Sequence, residues 1–253
     1  MKIKDITSLI ESVAPLETQL GFDNSGMLVG DKDEEVTKVL VTLDVTLEAV
    51  DRAIEVGANL IVSHHPIIFY PLHSILADDV TGYILMRAIR AGISIYASHT
   101  NFDNARGGLT DSILAEFNVI ESSVLDEDGT GRVALIGPTR LSDIVARLRE
   151  LTGDDTMRVS GDMDRLITKF AIINGAGGRD ERLEHTLVEK GVELFVTGEV
   201  KHSFALLLKA RGIALIDIEH YHAEKIFNEK MSALIGASGA RIVIFNDTNP
   251  YNS

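Results

Sequence analysis

At 253 residues, 45% hydrophobic and 25% charged, the chain has the composition of an ordinary globular protein, long enough for one large α/β domain or two smaller ones. It contains no cysteine, which excludes disulfides and thiolate metal ligands, and its net charge of −14 at pH 7 repels polyphosphate backbones and disfavours nucleic acid unless a local basic patch intervenes. Met1 to Pro15 alternates charged and apolar residues, and no apolar run approaches the ~18 residues of a membrane span, so the sequence predicts no signal peptide, no membrane segment and a cytoplasmic location.

In chain order, Lys38 to Leu43 reads as a strand and Thr46 to Val56 as an amphipathic helix closed by Gly57. Asn59 to Val62 is the next strand, Asp79 to Arg90 a helix closed by Gly92, and Ile93 to Ala97 another strand. The acidic run Leu125 to Gly131, with two glycines, marks a boundary. Beyond it the alternation resumes: strands Arg132 to Ile136 and Lys169 to Ile173, a helix capped by Ser142 and running to Leu151, and a helix from Glu181 to Lys190 before Gly191. Strands Glu193 to Val196 and Ile213 to Ile218, a helix from Ala223 to Ile235, a last strand Arg241 to Phe245 and a loop to Ser253 complete the chain.

Such β-α-β alternation predicts an α/β fold of two similar domains, each a mostly parallel sheet flanked by helices, one over 1–125 and the other over 126–239, with the strand in 240–253 free to rejoin the first. The halves also resemble each other. A shift of 134 positions pairs Glu55 with Glu189, Gly57 with Gly191, Leu60 with Leu194 and Val62 with Val196, and a shift of 120 pairs Gly92 with Gly212 and Ile93 with Ile213. Any two helix–Gly–strand units share some of this pattern. As a true repeat, it implies halves related by pseudo-twofold symmetry, each sending a strand-end carboxylate toward a shared metal site.

Three stretches collect nitrogen and oxygen ligands where apolar strands stop: Ser63-His64-His65-Pro66, Ser98-His99-Thr100-Asn101-Phe102-Asp103 and His220-Tyr221-His222-Ala223-Glu224. Consecutive side chains of extended backbone point to opposite sides, so His64 and His65 suit one ion each of a pair roughly 3.5–4 Å apart; taken alone they also suit a capping role. His220 and Glu224, at i and i+4, share one face of a helix, and that carboxylate can bridge two cations. Asp103, in a turn rich in Asn and Gly, can bridge, bind terminally or cap the turn. His99 and His222 read as residues that orient a ligand or position substrate rather than bind metal. Donors without sulfur suit zinc, iron, manganese or nickel, two divalent ions per chain. Asn174-Gly175-Ala176-Gly177-Gly178 could cradle a phosphate through Gly175, Gly177 and Gly178 or simply make a turn; Glu199 and His202, in Thr197-Gly198-Glu199-Val200-Lys201-His202, could act as acid or base or cap local structure.

These motifs together resemble the Nif-three-like family of dinuclear-metal proteins, also known as GTP cyclohydrolase I type 2 homologues. The likeness covers most of the chain and includes Gly21-Phe22-Asp23-Asn24-Ser25-Gly26-Met27-Leu28-Val29-Gly30 as well as the stretches above. It implies that His64, His65, Asp103, His220 and Glu224 are the metal ligands, in a short member without an additional central domain, assembled as a homohexameric toroid. The family usually has glycine where this chain has Glu219. A two-metal centre lowers the pKa of water to near neutrality, so the implied chemistry is metal-dependent hydrolysis of a small phosphate-bearing substrate, a purine nucleotide such as GTP being suggested by the family's name. A non-enzymatic ring with a metal-handling, regulatory or nucleic-acid-binding role is the alternative.

Overall fold

A computed structural model describes residues 1–251. In chain order the elements are α1 (Ile3–Val13), a 3-10 turn (Leu16–Thr18), β1 (Gly26–Val29), β2 (Val39–Thr42), α2 (Leu47–Val56), β3 (Leu60–Ser63), α3 (Val80–Arg90), β4 (Ser94–Ala97), α4 (Thr100–Asn104) and α5 (Leu109–Leu114). They continue with β5 (Val119–Val124), β6 (Arg132–Arg140), α6 (Leu141–Thr152), β7 (Arg158–Ser160), β8 (Leu166–Ile173), α7 (Leu183–Glu189), β9 (Leu194–Thr197), α8 (His202–Ala210), β10 (Ala214–Asp217), α9 (His220–Glu224), α10 (Phe227–Gly236) and β11 (Ile242–Ile244). Among the described residues no helix is long and apolar enough to cross a membrane.

The chain divides into two compact units, Met1–Ala105 with Phe227–Ser253, and Arg106–Ile226. In the first, the sheet order is β1-β4-β3-β2-β11, with β11, β2, β3 and β4 parallel and β1 antiparallel at the edge. The three inner strands β2, β3 and β4 are buried along their whole length, which is why they read as unbroken apolar runs. Thr46 caps α2 by accepting from the Ala49 amide at 3.1 Å, and Gly57 ends it in the left-handed conformation (φ 69°) that a Cβ would strain. Leu40, Ile61 and Ile95 of the sheet pack with Ala49, Val50 and Ala53 of α2 and with Leu85 and Ala88 of α3. The register aligns Thr42 with Ser63 and Ser63 with Ala97. The residues just past them, Leu43-Asp44, His64-His65 and Ser98-His99, therefore leave the sheet together at its carboxyl edge, where open α/β sheets carry their sites.

In the second unit the order is β5-β6-β8-β9-β10-β7. Only β8, β9 and β10 are parallel to one another; β5–β6, β6–β8 and β10–β7 pair antiparallel. A mostly parallel sheet thus describes the first unit, whereas the second is mixed. The reason is local: the acidic run after Val124 is the turn of a β5–β6 hairpin, closed by the Gly129 amide donating to Asp126 O at 3.2 Å, so it lies inside this sheet instead of between two domains. The unit's chain starts at Arg106, well before the boundary expected near 125, and α10 and β11 belong to the first unit. The helix expected over 223–235 is in fact two, α9 and α10.

The parallel cores carry the repeat seen in the sequence. In the first unit Leu60 faces Ser94; in the second Leu194 faces Ala214. Those partners differ by 134 and 120 positions, the same two shifts that align the sequence with itself. Here Ile173, Thr197 and Asp217 end level, placing Asn174-Gly175, Gly198-Glu199 and Ile218 to His220 at one carboxyl edge.

Candidate metal centre

In the first unit β3 ends at Ser63, and the amides of His64 and His65 both donate to Leu43 O, at 3.2 and 3.0 Å. That turn removes the strand alternation expected for the pair. The two rings lie 5.0 Å apart, and one ligand nitrogen each from His64, His65 and His99 all fall within 4.8 Å of one another. His99 therefore joins the group instead of standing behind it. His64 is fully buried against Phe227, and its Nε2 is 3.7 Å from Oδ1 of Asp103, which α4 carries one turn past His99.

Each of these imidazoles has its Nδ1 engaged. His64 Nδ1 donates to Ser98 O at 3.0 Å, His65 Nδ1 to Asp44 at 2.9 Å and His99 Nδ1 to Asp23 at 2.7 Å. An acceptor at Nδ1 selects the tautomer whose Nε2 lone pair is available to a cation and fixes the ring plane. Asp23 is the most heavily served carboxylate: it also accepts from the Thr100 hydroxyl (2.5 Å), the Thr100 amide (3.0 Å), the Ser25 hydroxyl (3.1 Å) and the Asn24 amide (2.7 Å). Burial works to raise its pKa, but the hydrogen bond and charge of His99 and the bonds from Thr100 and Asn24 outweigh it and hold the carboxyl far below its ordinary range.

In the second unit α9 sets His220 and Glu224 on one face, Nε2 to Oε2 at 3.0 Å. Glu224 is buried and His220 half-buried. His220 Nδ1 lies 3.5 Å from Glu199 Oε2, while Glu199 Oε1 accepts from Arg179 at 2.5 Å. Burial pushes the Glu199 carboxyl up, but Arg179 first and His220 second bring it below the usual value. Glu219 takes φ 70°, the one non-glycine among the described residues with positive φ. Its side chain accepts from the His222 amide at 3.3 Å and caps α9, at a backbone cost of order ~1–3 kcal/mol that glycine would avoid. His222 donates through Nδ1 to Thr152 O at 3.2 Å and belongs to no group of ligand atoms.

The glycine-rich turn has packing reasons for its composition. A Cβ on Gly175 (φ +57°) would sit 2.4 Å from Glu224 Oε1; on Gly177 it would meet Ile173 Cγ2 at 2.4 Å, and on Gly178 the Glu199 carbonyl at 2.5 Å. The Gly178 amide already donates to Glu199 O at 3.0 Å, and α7 starts only at Leu183, so no helix N-terminus follows the turn directly. Gly175 thus holds open the space in which Glu224 lies. Gly175→Ala is expected to displace that carboxylate and weaken metal binding about 10–100-fold with the fold intact, as read by metal titration beside circular dichroism. His202 opens α8 at the surface, in none of the groups of ligand atoms.

The donor chemistry fits a divalent transition-metal ion: imidazoles presented by Nε2 and carboxylates, with no sulfur. Asp23 and Asp44 are the residues that sequence reasoning left unassigned. Asp44 carried the signal that marked the histidines, a polar residue at a strand end. Asp23 lies in a loop that nothing local connects with His99.

An α/β protein with a parallel core in each unit and a histidine cluster at one sheet's carboxyl edge belongs to the class that could hold a metal ion there. The family model Duf34/NIF3 (NGG1p interacting factor 3) matches residues 1–250, and the chain belongs to that family. It is 35% identical over 235 residues to a GTP cyclohydrolase 1 type 2 homolog of Clostridium perfringens, covering 88% of this chain and 87% of that one. A Clostridium acetobutylicum protein of the same description is 30% identical over 266 residues, covering 99% and 98%. A Staphylococcus aureus hypothetical protein of known structure superposes with a TM-score of 0.85 at 28% identity, covering 100% of this chain and 98% of that one.

Proposed function

We propose that the chain is a metal-dependent hydrolase of the GTP cyclohydrolase type, with His64, His65, Asp103, His220 and Glu224 holding two divalent cations. The observation that carries the reading is the Nδ1 pattern: His64, His65, His99 and His220 each place that nitrogen against a carbonyl or carboxylate, at 3.0, 2.9, 2.7 and 3.5 Å. Structural histidines have no need of four such arrangements; metal ligands do. When bound, such ions supply charge that polarises a substrate and brings the pKa of water to near neutrality.

The chain's own groups have distinct tasks in this reading. Asp23 and Asp44 hold the rings of His99 and His65, and His99 joins His64 and His65 as a direct ligand or as a contact to substrate. Glu199, with one oxygen toward His220 and the other on Arg179, orients His220 instead of transferring protons. His202, exposed beside this segment, keeps the proton-transfer role. With the Gly175 to Gly178 turn committed to packing, the substrate's phosphates fall to the cations. A homohexamer, implied by the family likeness, belongs to the same proposal.

The test incubates zinc-, iron-, manganese- and nickel-loaded protein with GTP and other nucleotides and follows product by chromatography, with light scattering of the same samples for the mass of six chains. Turnover that stops on chelation and returns with metal is the expected result. If every loaded form is inert while metal stays bound, the non-enzymatic, metal-handling ring replaces the hydrolase.

A further inference from the structure

We propose that Asp247, in the segment after β11, is a positioning residue for the imidazole pair His64–His65; the inference rests on the metal reading above. β11 runs parallel beside β2, with the Phe245 amide donating to Val41 O at 2.9 Å, and this delivers Asp247 to the turn after β2. There a single oxygen, Oδ2, accepts from the Thr42 hydroxyl at 2.7 Å, the Leu43 amide at 3.2 Å and the Asp44 amide at 3.1 Å.

The turn so held is the one that sets the histidines. From its other side Leu43 O accepts the backbone amides of His64 and His65, at 3.2 and 3.0 Å, and the Asp44 side chain takes His65 Nδ1 at 2.9 Å. One carboxylate therefore fixes the peptide units on which both the backbone and a ring of the pair depend. Two consecutive amides pointed at an anion make a rigid arrangement, since charge-assisted bonds are about twice as strong as neutral ones. Without it the Leu43–Asp44 turn loses three of its anchors, and Asp44 loses its fixed position against His65. Second, the segment is held in place independently: Asn228 Nδ2 donates to Phe245 O at 3.2 Å, which ties it to α10. Asp247 is thus braced before it braces the turn.

The test titrates the metal-free full chain with cobalt(II), whose visible absorption reports the ligands around it, and follows the thermal stability of the metal-free protein alongside. Asp247→Ala is expected to bind cobalt about 10–100-fold more weakly with an altered spectrum. Asp247→Asn, which keeps an acceptor oxygen, should rescue most of the affinity. Thr42→Val removes one of the three anchors and should fall between, which preserves the test should Asp247→Ala fail to fold. Asp44→Ala combined with Asp247→Ala should be no worse than the more severe single change, because Asp44 reaches His65 through the turn that Asp247 holds. Unchanged cobalt affinity and spectrum in Asp247→Ala, or in Thr42→Val where that is the folded variant, would overturn the positioning role and leave the metal reading standing. Failure of the unmodified chain to take up cobalt would sink both.

Discussion

Glu224→Ala is expected to lose bound metal almost completely, more than about 100-fold in affinity, whereas His222→Ala retains it. Glu224 is buried, meets His220 Nε2 at 3.0 Å and sits in the space kept by Gly175, so its carboxylate is held fixed where the proposed cation would bind. A carboxylate serving two ions also offsets their mutual repulsion, and its removal costs more than the ~10–100-fold typical of a residue that only orients a ligand. His222 is the control, being on the same helix but turned onto Thr152 O. Its loss should lower stability and spare metal content. Elemental analysis of both variants, purified without chelator, reads the contrast; equal metal loss would remove Glu224 from the ligand set.

Asp23→Ala should destabilise the protein by on the order of 3–5 kcal/mol, the range for stranding the partners of a buried charge, or roughly 10 °C in Tm for a chain of this size. The side chain is 0% exposed and accepts from His99, Ser25, Asn24 and twice from Thr100, so a truncation leaves five donors without their acceptor. The pH dependence has a definite sign. The folded pKa is depressed, so the stabilisation is fully present above the unfolded carboxyl value of ~3.9 and is lost as pH falls below it toward the folded one. The stability gap between the unmodified chain and Asp23→Ala should stay constant near neutrality and close only in acid. Thermal melts of metal-free protein across that range check it. A gap that closed already near neutrality would reject the Asp23 carboxylate as the group responsible.

Much of this protein is written locally. The buried parallel strands β2, β3, β4, β9 and β10 are legible because both faces are covered, leaving runs such as Leu60–Ser63 and Leu194–Thr197 without polar alternation. Gly57 and Gly191 mark helix ends because only glycine enters the left-handed region without cost. The histidine and carboxylate stretches stood out because they follow those strands directly. Elements whose pattern is weaker were not legible. β5 and β7 are short edge strands with half-exposed or exposed residues, stabilised by pairing to β6 and β10, and such pairing has no local signature. The β5–β6 hairpin turn looked like a linker because acidic residues and glycines suit both.

What the sequence determined by itself is the α/β class, the repeat of its parallel cores and the stretches that carry candidate ligands, since periodicity and strand ends depend on near neighbours. Tertiary structure alone decided which carboxylate stands behind which imidazole. Asp23 is 76 positions from His99, and Asp247 is 203 from the Asp44 amide that it holds. Separations of that length carry no periodic trace. The turn at Leu43 likewise decided that His64 and His65 converge instead of alternating, because two amides sharing one carbonyl bend the chain where strand geometry would have kept it straight.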